Sequence, residues 1–128
     1  MQRASVSRQV AIGDLVLFSA LAVPGLGGWL LDSLVALGYV LGLGGTWQTT
    51  PSLYLLVHLM GVMGAALAYL RLQLPASARG CAVAAAVKLY AASLFVLFVY
   101  LGAPSIFLLL AGVDAVQGAR LLAARHRN

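Results

Sequence analysis

Four ionisable side chains fall inside long apolar stretches of this sequence: Asp14, His58, Lys88 and Asp114. A charge at bilayer depth costs roughly 2.5–3.5 kcal/mol on insertion scales, so such groups normally face the interior of a helix bundle and have partners. The chemistry open to them is ion pairing, proton transfer or the binding of a polar headgroup.

Lys88 and Asp114 are predicted to form an ion pair near the middle of the membrane. Lys88 precedes the predicted tight turn at Gly102 by nearly as many residues as separate that turn from Asp114. At about 1.5 Å per helical residue, both lie about 20 Å from the turn on neighbouring antiparallel helices. Small residues on the same faces allow close approach, and Gln117 adds a polar group beside Asp114. The pair, direct or water-bridged, either fixes packing or contributes to a ligand or proton site.

His58 and Tyr54 share one face of a predicted helix, one turn apart. Such a pair in a membrane cavity could bind a quinone carbonyl or relay a proton, and the simpler alternative is an interhelical hydrogen bond. No metal site is predicted, because the only other histidine, His126, is at the far terminus and no cluster has ligand spacing.

Asp14 lies early in the first apolar stretch, at a depth comparable with those of Arg120 and Arg71. We expect a structural salt bridge with one of these arginines. A substrate or proton role for Asp14 is the alternative.

The composition indicates a membrane protein. The 128 residues are 62% hydrophobic and 9% charged, with a mean hydropathy of +0.99, whereas soluble domains are about 25% charged. A soluble fold and a disordered chain are therefore excluded. The net charge of +5 does not indicate a nucleic-acid partner, because the arginines flank the apolar stretches, where they set membrane topology.

The predicted fold is all-α: a four-helix transmembrane bundle in one domain covering residues 1–128. A bilayer-crossing helix needs about 20 residues, and the spans are predicted at 10–31, 51–72, 80–101 and 105–122. Pro24 and the glycines after it should bend or break the first span. Residues 32–50 are too short and glycine-rich for a clean span, so an interfacial or re-entrant segment is expected there.

Arginine placement predicts the orientation. With four spans, all seven arginines lie on one side, and the other connections carry no lysine or arginine. The positive-inside rule makes that side cytoplasmic, so both termini are predicted to face the cytoplasm. The arginines are Arg3, Arg8, Arg71, Arg79, Arg120, Arg125 and Arg127.

The layout resembles that of small bacterial DoxX-like membrane proteins, which have four spans, cytoplasmic termini and polar residues within the bundle. The closest pieces are Ala11–Leu15, which contains Asp14, the span from Pro51 to Arg71 with His58–Gly61, and Asp114 in the last span. Some relatives are tied to quinone-linked redox systems, so the resemblance implies a quinone-like ligand. The small size and the Ala/Leu/Gly-rich composition suggest, by analogy, a bacterial inner membrane.

Three functions fit the sequence. The first is a ligand-binding module or accessory subunit whose bundle interior holds a quinone- or lipid-like molecule by its polar head. The residues expected around this ligand are His58, Lys88, Asp114 and Tyr54. The second is a proton-coupled small-molecule transporter acting as a dimer, with Asp14 or Asp114 changing protonation. The third is a purely structural partner of a second copy or of another membrane protein. No catalytic motif can be recognised in the sequence, so an enzymatic function is not favoured.

Overall fold

The computed structural model describes residues 2–125, so the predictions that concern His126 and Arg127 lie outside it. These residues form five helices and no strand. The helices are α1 (Gln2–Ala22), α2 (Leu26–Val40), α3 (Pro51–Gln73), α4 (Ala78–Tyr100) and α5 (Phe107–Arg125). All but α2 are long and apolar enough to cross a membrane. The prediction of an all-α four-helix membrane bundle is therefore confirmed.

Local sequence explains where the central helices begin. Thr50 has extended backbone angles, and its side-chain oxygen accepts a hydrogen bond from the Leu53 amide before Pro51 opens α3. Ser77 does the same for the Gly80 amide at the start of α4. Each hydroxyl satisfies one of the backbone N–H groups that a helix leaves unpaired in its first turn.

The first span differs from the predicted range 10–31. The helix begins at Gln2 and ends at Ala22, and residues 26–31 belong to α2 instead. Pro24 disfavours helical angles in the residue before it, and Gly25 adopts φ +85°, a left-handed conformation that suits glycine. The expected break therefore separates two helices that run in different directions.

The helix α2 covers one end of the bundle rather than crossing it. Near its middle, the Tyr54 hydroxyl from the first turn of α3 donates to Asp32 Oδ2 at 2.6 Å. Near its end, Gly38 is so close to Ile106, just before α5, that an added Cβ would lie 2.9 Å from the Ile106 Cβ. Since both neighbours lie at the same ends of their spans, α2 lies across that end, as expected for an interfacial or re-entrant segment.

The loop after α2 is fastened to the α4–α5 turn by backbone hydrogen bonds. The Ile106 amide donates to the Leu43 carbonyl at 3.2 Å, and the Thr46 amide donates to the Gly102 carbonyl at 2.9 Å. We call this side of the molecule the loop end. The opposite side carries Arg8, near the start of α1, the α3–α4 connection, and Arg79 in the first turn of α4, and we call it the arginine-rich end.

The four spanning helices pack as two antiparallel pairs, α1 with α3 and α4 with α5. In the first pair, Gly61 lets α3 approach the backbone of α1 at Ala22, and Gly64 lies against the Phe18 ring. The pairs meet around a core of small and branched side chains. This core contains Val10, Cys81, Ala84, Ala85 and Leu121. Most of the large apolar side chains point outward, which suits hydrocarbon and not water.

The fold predicts that residues 48 and 76 react from opposite sides of the membrane. In a Cys81→Ala background, Gln48→Cys and Ala76→Cys each provide one thiol for a membrane-impermeant maleimide applied to intact bacterial cells. By the positive-inside rule, residue 48 should label from outside and residue 76 only after permeabilisation. Labelling of both positions in intact cells would contradict the four-span topology, and the reverse pattern would contradict the orientation alone.

Candidate functional site

Four charged side chains form a continuous chain of ion pairs inside the bundle. Lys88 Nζ lies 2.6 Å from Asp14 Oδ1 and 2.9 Å from Asp114 Oδ1. Arg71 Nη1 lies 3.0 Å from the other carboxylate oxygen of Asp14, Oδ2. The order is therefore Arg71, Asp14, Lys88, Asp114, with cations and anions alternating. We call these four residues the charge network.

Each of the four spanning helices contributes one member of the charge network. Arg71 and Asp14 join α3 to α1, and Lys88 and Asp114 join α4 to α5. The contact between Asp14 and Lys88 is the one that crosses from the first helix pair to the second. Ala84 and Ala85, one turn before Lys88, are buried, so α4 presents this face to its neighbours.

The charge network is formally neutral, and its centre is the most buried part. The side chains of Asp14 and Lys88 are 7% and 11% exposed, compared with 17% for Asp114 and 27% for Arg71. Removing one partner of a buried pair leaves an uncompensated charge, which is strongly destabilising. Pairing therefore makes these charges tolerable at bilayer depth.

The sequence predicts the ion pair of Lys88 with Asp114, and for Asp14 it offers two candidate arginines. The expected pair of Lys88 and Asp114 is direct, with no bridging water needed at 2.9 Å. Of the two arginines proposed for Asp14, Arg71 makes the salt bridge. Arg120 does not, because its Nη2 donates to Gln9 Oε1 at 2.9 Å on the exposed surface between α5 and α1.

The contact between Asp14 and Lys88 is the functional feature that sequence reasoning missed. Depth along a helix can be read from residue spacing, but the neighbour of α1 across the bundle depends on how the two helix pairs pack. The small number of charged residues could have indicated this contact. Lys88 is the only lysine, and the two acidic residues other than Asp32 both lie within apolar stretches.

His58 and Tyr54 lie apart from the charge network and have their own partners. His58 is about 20 Å from Arg71 along α3 at about 1.5 Å per residue. Its Nδ1 lies 2.8 Å from the Leu21 carbonyl oxygen in the last turn of α1, and it carries the hydrogen because a carbonyl only accepts. With Tyr54 bonded to Asp32, both side chains hold the loop end together. The contacts of His58 and Tyr54 are therefore separate from those of Lys88 and Asp114.

Three buried polar atoms have no hydrogen-bond partner among the described residues. They are Gln117 Oε1, Arg71 Nη2 and Trp47 Nε1. Gln117 lies one turn after Asp114 on α5, where residues three apart are neighbours. Trp47 packs its ring 5.3 Å from that of Phe107 at the loop end. A buried polar group without a partner costs free energy, so each of these atoms marks a place where a ligand or water would be stabilised.

Residues 2–125 contain no group of three histidine, cysteine or acidic side chains placed to hold a metal ion. Comparison with known proteins adds no relative, because no family model, curated protein or solved structure matches the chain.

Breaking the charge network should destabilise the protein in a pattern that follows charge balance. Lys88→Met leaves Asp114 without a cation and should lower the free energy of unfolding by about 3–5 kcal/mol. The double variant Lys88→Met/Asp114→Asn leaves the neutral pair of Arg71 and Asp14, so at least about half of this loss should be recovered. Unfolding by SDS from dodecyl maltoside micelles, followed by circular dichroism, measures the differences.

The matched control is Arg79→Gln, which removes an exposed cation outside the charge network. It should change the free energy of unfolding by no more than about 0.5 kcal/mol. A double variant no more stable than Lys88→Met would contradict the charge-balance account.

Proposed function

We propose that this protein is a membrane-embedded binding protein, or the ligand-binding subunit of a larger complex, that holds a hydroxyl-bearing amphiphile beside the charge network. The observation that carries the proposal is the buried Gln117 Oε1 without a donor, one turn from Asp114. A hydroxyl group on the ligand would supply the missing donor. Lys88 Nζ already donates to Asp114 Oδ1, so that carboxylate is held in place beside the ligand.

The chemistry of the surroundings sets the class of ligand. Gln117 is on α5, a helix whose neighbouring residues Val113 and Val116 are exposed to the region that hydrocarbon would fill. A ligand that reaches Gln117 from there needs an apolar tail and a polar head with a hydrogen-bond donor. Reduced quinones and lipids with a free hydroxyl meet both requirements. The resemblance to DoxX-like proteins, which remains a prediction, favours the quinone class.

A proton-coupled transporter is less well supported. Asp14 contacts both Arg71 and Lys88, and Asp114 contacts Lys88. A transport cycle that protonated either carboxylate would have to separate it from a cation within the bundle on every turnover. A structural contribution of the charge network is compatible with ligand binding, because the same contacts join the two helix pairs.

Localisation is part of the proposal. The arginine-rich end is assigned to the cytoplasm by the positive-inside rule. A bacterial inner membrane is proposed from the small size and the Ala/Leu/Gly-rich composition, by analogy.

Binding of a short-chain ubiquinol to the purified protein in dodecyl maltoside tests the proposal. Equilibrium dialysis against the quinol, its oxidised quinone and a short-chain diacylglycerol gives three affinities. The quinol or the diacylglycerol should bind more tightly than the quinone, because a quinone has no hydroxyl to donate to Gln117. Gln117→Leu should weaken binding by about three- to tenfold, the value of one hydrogen bond.

The same variant has a second expected effect that a merely damaged protein would not show. Gln117→Leu replaces an unsatisfied buried acceptor with an apolar group, so the unliganded protein should become more stable. Gln73→Leu is the control, because Gln73 is an exposed residue at the end of α3, and it should leave binding unchanged. The proposal fails if none of the three probes binds the folded protein. It also fails if Gln117→Leu binds them as tightly as the control Gln73→Leu does.

A further inference from the structure

A cavity of about 130 Å³ opens at the arginine-rich end, between the start of α1 and the end of α3. This volume has room for several water molecules or one phosphate group. Polar and apolar side chains share its wall, and no acidic residue is among them. The lining residues are Ala4, Ser7, Arg8, Arg71, Leu72, Leu74 and Ala76.

Arg71 is one of the residues that line this cavity. Its Nη1 is fixed by the hydrogen bond to Asp14 Oδ2 at 3.0 Å. Its Nη2 is buried and has no partner among the described residues. A guanidinium group has five N–H donors, so the bond to Asp14 leaves Arg71 with N–H groups that are free to donate to a bound acceptor.

A second arginine and a hydroxyl complete the donor set. Arg8 is exposed and makes no hydrogen bond or ion pair within the part of the chain that the structure describes. Ser7 adds a hydroxyl group to the same wall. The first turn of α1 contains no acidic residue, so the positive end of its helix dipole is not offset there.

We propose that this cavity binds a phosphate-type oxyanion through Arg8, Arg71 and Ser7. Arginine forks match the oxygen geometry of phosphate and carry a permanent charge. The oxyanion could be the headgroup of an anionic lipid or a free phosphate ion. The apolar side chains of Leu72 and Leu74 beside the arginines suit a lipid, and the cavity lies where α1 and α3 would leave the hydrocarbon. The proposal does not rest on the ligand site at Gln117.

Thermal unfolding of the purified full-length protein in dodecyl maltoside, an uncharged detergent, tests the site. The additions are phosphatidylglycerol, phosphatidylcholine and inorganic phosphate, with chloride at equal ionic strength as the reference. Phosphatidylglycerol should raise the unfolding temperature and phosphatidylcholine should not. The concentration dependence of the shift gives an apparent affinity.

Arg8→Gln is the informative variant, because it removes one cavity donor and does not touch the charge network. It should weaken the apparent affinity for the oxyanion about tenfold, the value of one charge-assisted hydrogen bond. Arg79→Gln removes the same charge from the same end of the molecule but outside the cavity, so it should leave the affinity nearly unchanged. Ser7→Ala should weaken binding by less than Arg8→Gln.

Two results separate the sources of the oxyanion, and both support the site. Stabilisation by inorganic phosphate that is lost in Arg8→Gln identifies a free ion as sufficient, whereas stabilisation by phosphatidylglycerol alone identifies a lipid headgroup. Equal losses in Arg8→Gln and Arg79→Gln would overturn the proposal, because they would show general attraction to a basic surface. The absence of any shift with phosphatidylglycerol and phosphate would overturn it as well.

Discussion

A charge inside a bilayer needs a partner, and the contact between Asp14 and Lys88 is where this requirement shapes the whole molecule. Their oxygen and nitrogen atoms lie 2.6 Å apart, on different helix pairs. If the pairs separated, Asp14 and Lys88 would each lose one of their two ion-pair partners, in a medium that solvates ions poorly. Together with the apolar core around Val10, Ala85 and Leu121, this contact therefore holds the two helix pairs against each other.

The loop end is held by a different kind of interaction. Backbone hydrogen bonds fasten the segment after α2 to the α4–α5 turn, and His58 satisfies the Leu21 carbonyl where α1 stops. Irregular backbone at a membrane boundary needs such partners, because its polar groups have none within a regular helix. The polar side chains of this protein thus divide into a group that ties the loop end and a group that joins the spans. Both ligand-binding proposals concern residues away from the loop end.

Much of this arrangement could be predicted from the sequence. The apolar stretches predict the four spans, and the equal distances of Lys88 and Asp114 from Gly102 predict their pairing, because both depend on local geometry. The lateral arrangement of the helix pairs could not be predicted, so the bond from Lys88 to Asp14 was missed and Arg120 was considered beside Arg71. The expectation that His58 and Lys88 share a site used only the inward direction of their helix faces. The structure places them at different levels, because His58 contacts Leu21 and Lys88 contacts Asp14, about two turns apart on α1.

The most direct test of the account is a solid-state NMR distance measurement on the protein in lipid bilayers. Lys88 is the only lysine and the chain has three aspartates and no glutamate, so ¹⁵Nζ-lysine and ¹³Cγ-aspartate labels give few spin pairs. The account predicts that the lysine nitrogen is coupled to two carboxyl carbons at about 3–4 Å, the separation of a hydrogen-bonded ion pair, and that Asp14→Asn and Asp114→Asn each shift the frequency of one of them. Dephasing by one carboxyl carbon, or by none, would contradict it.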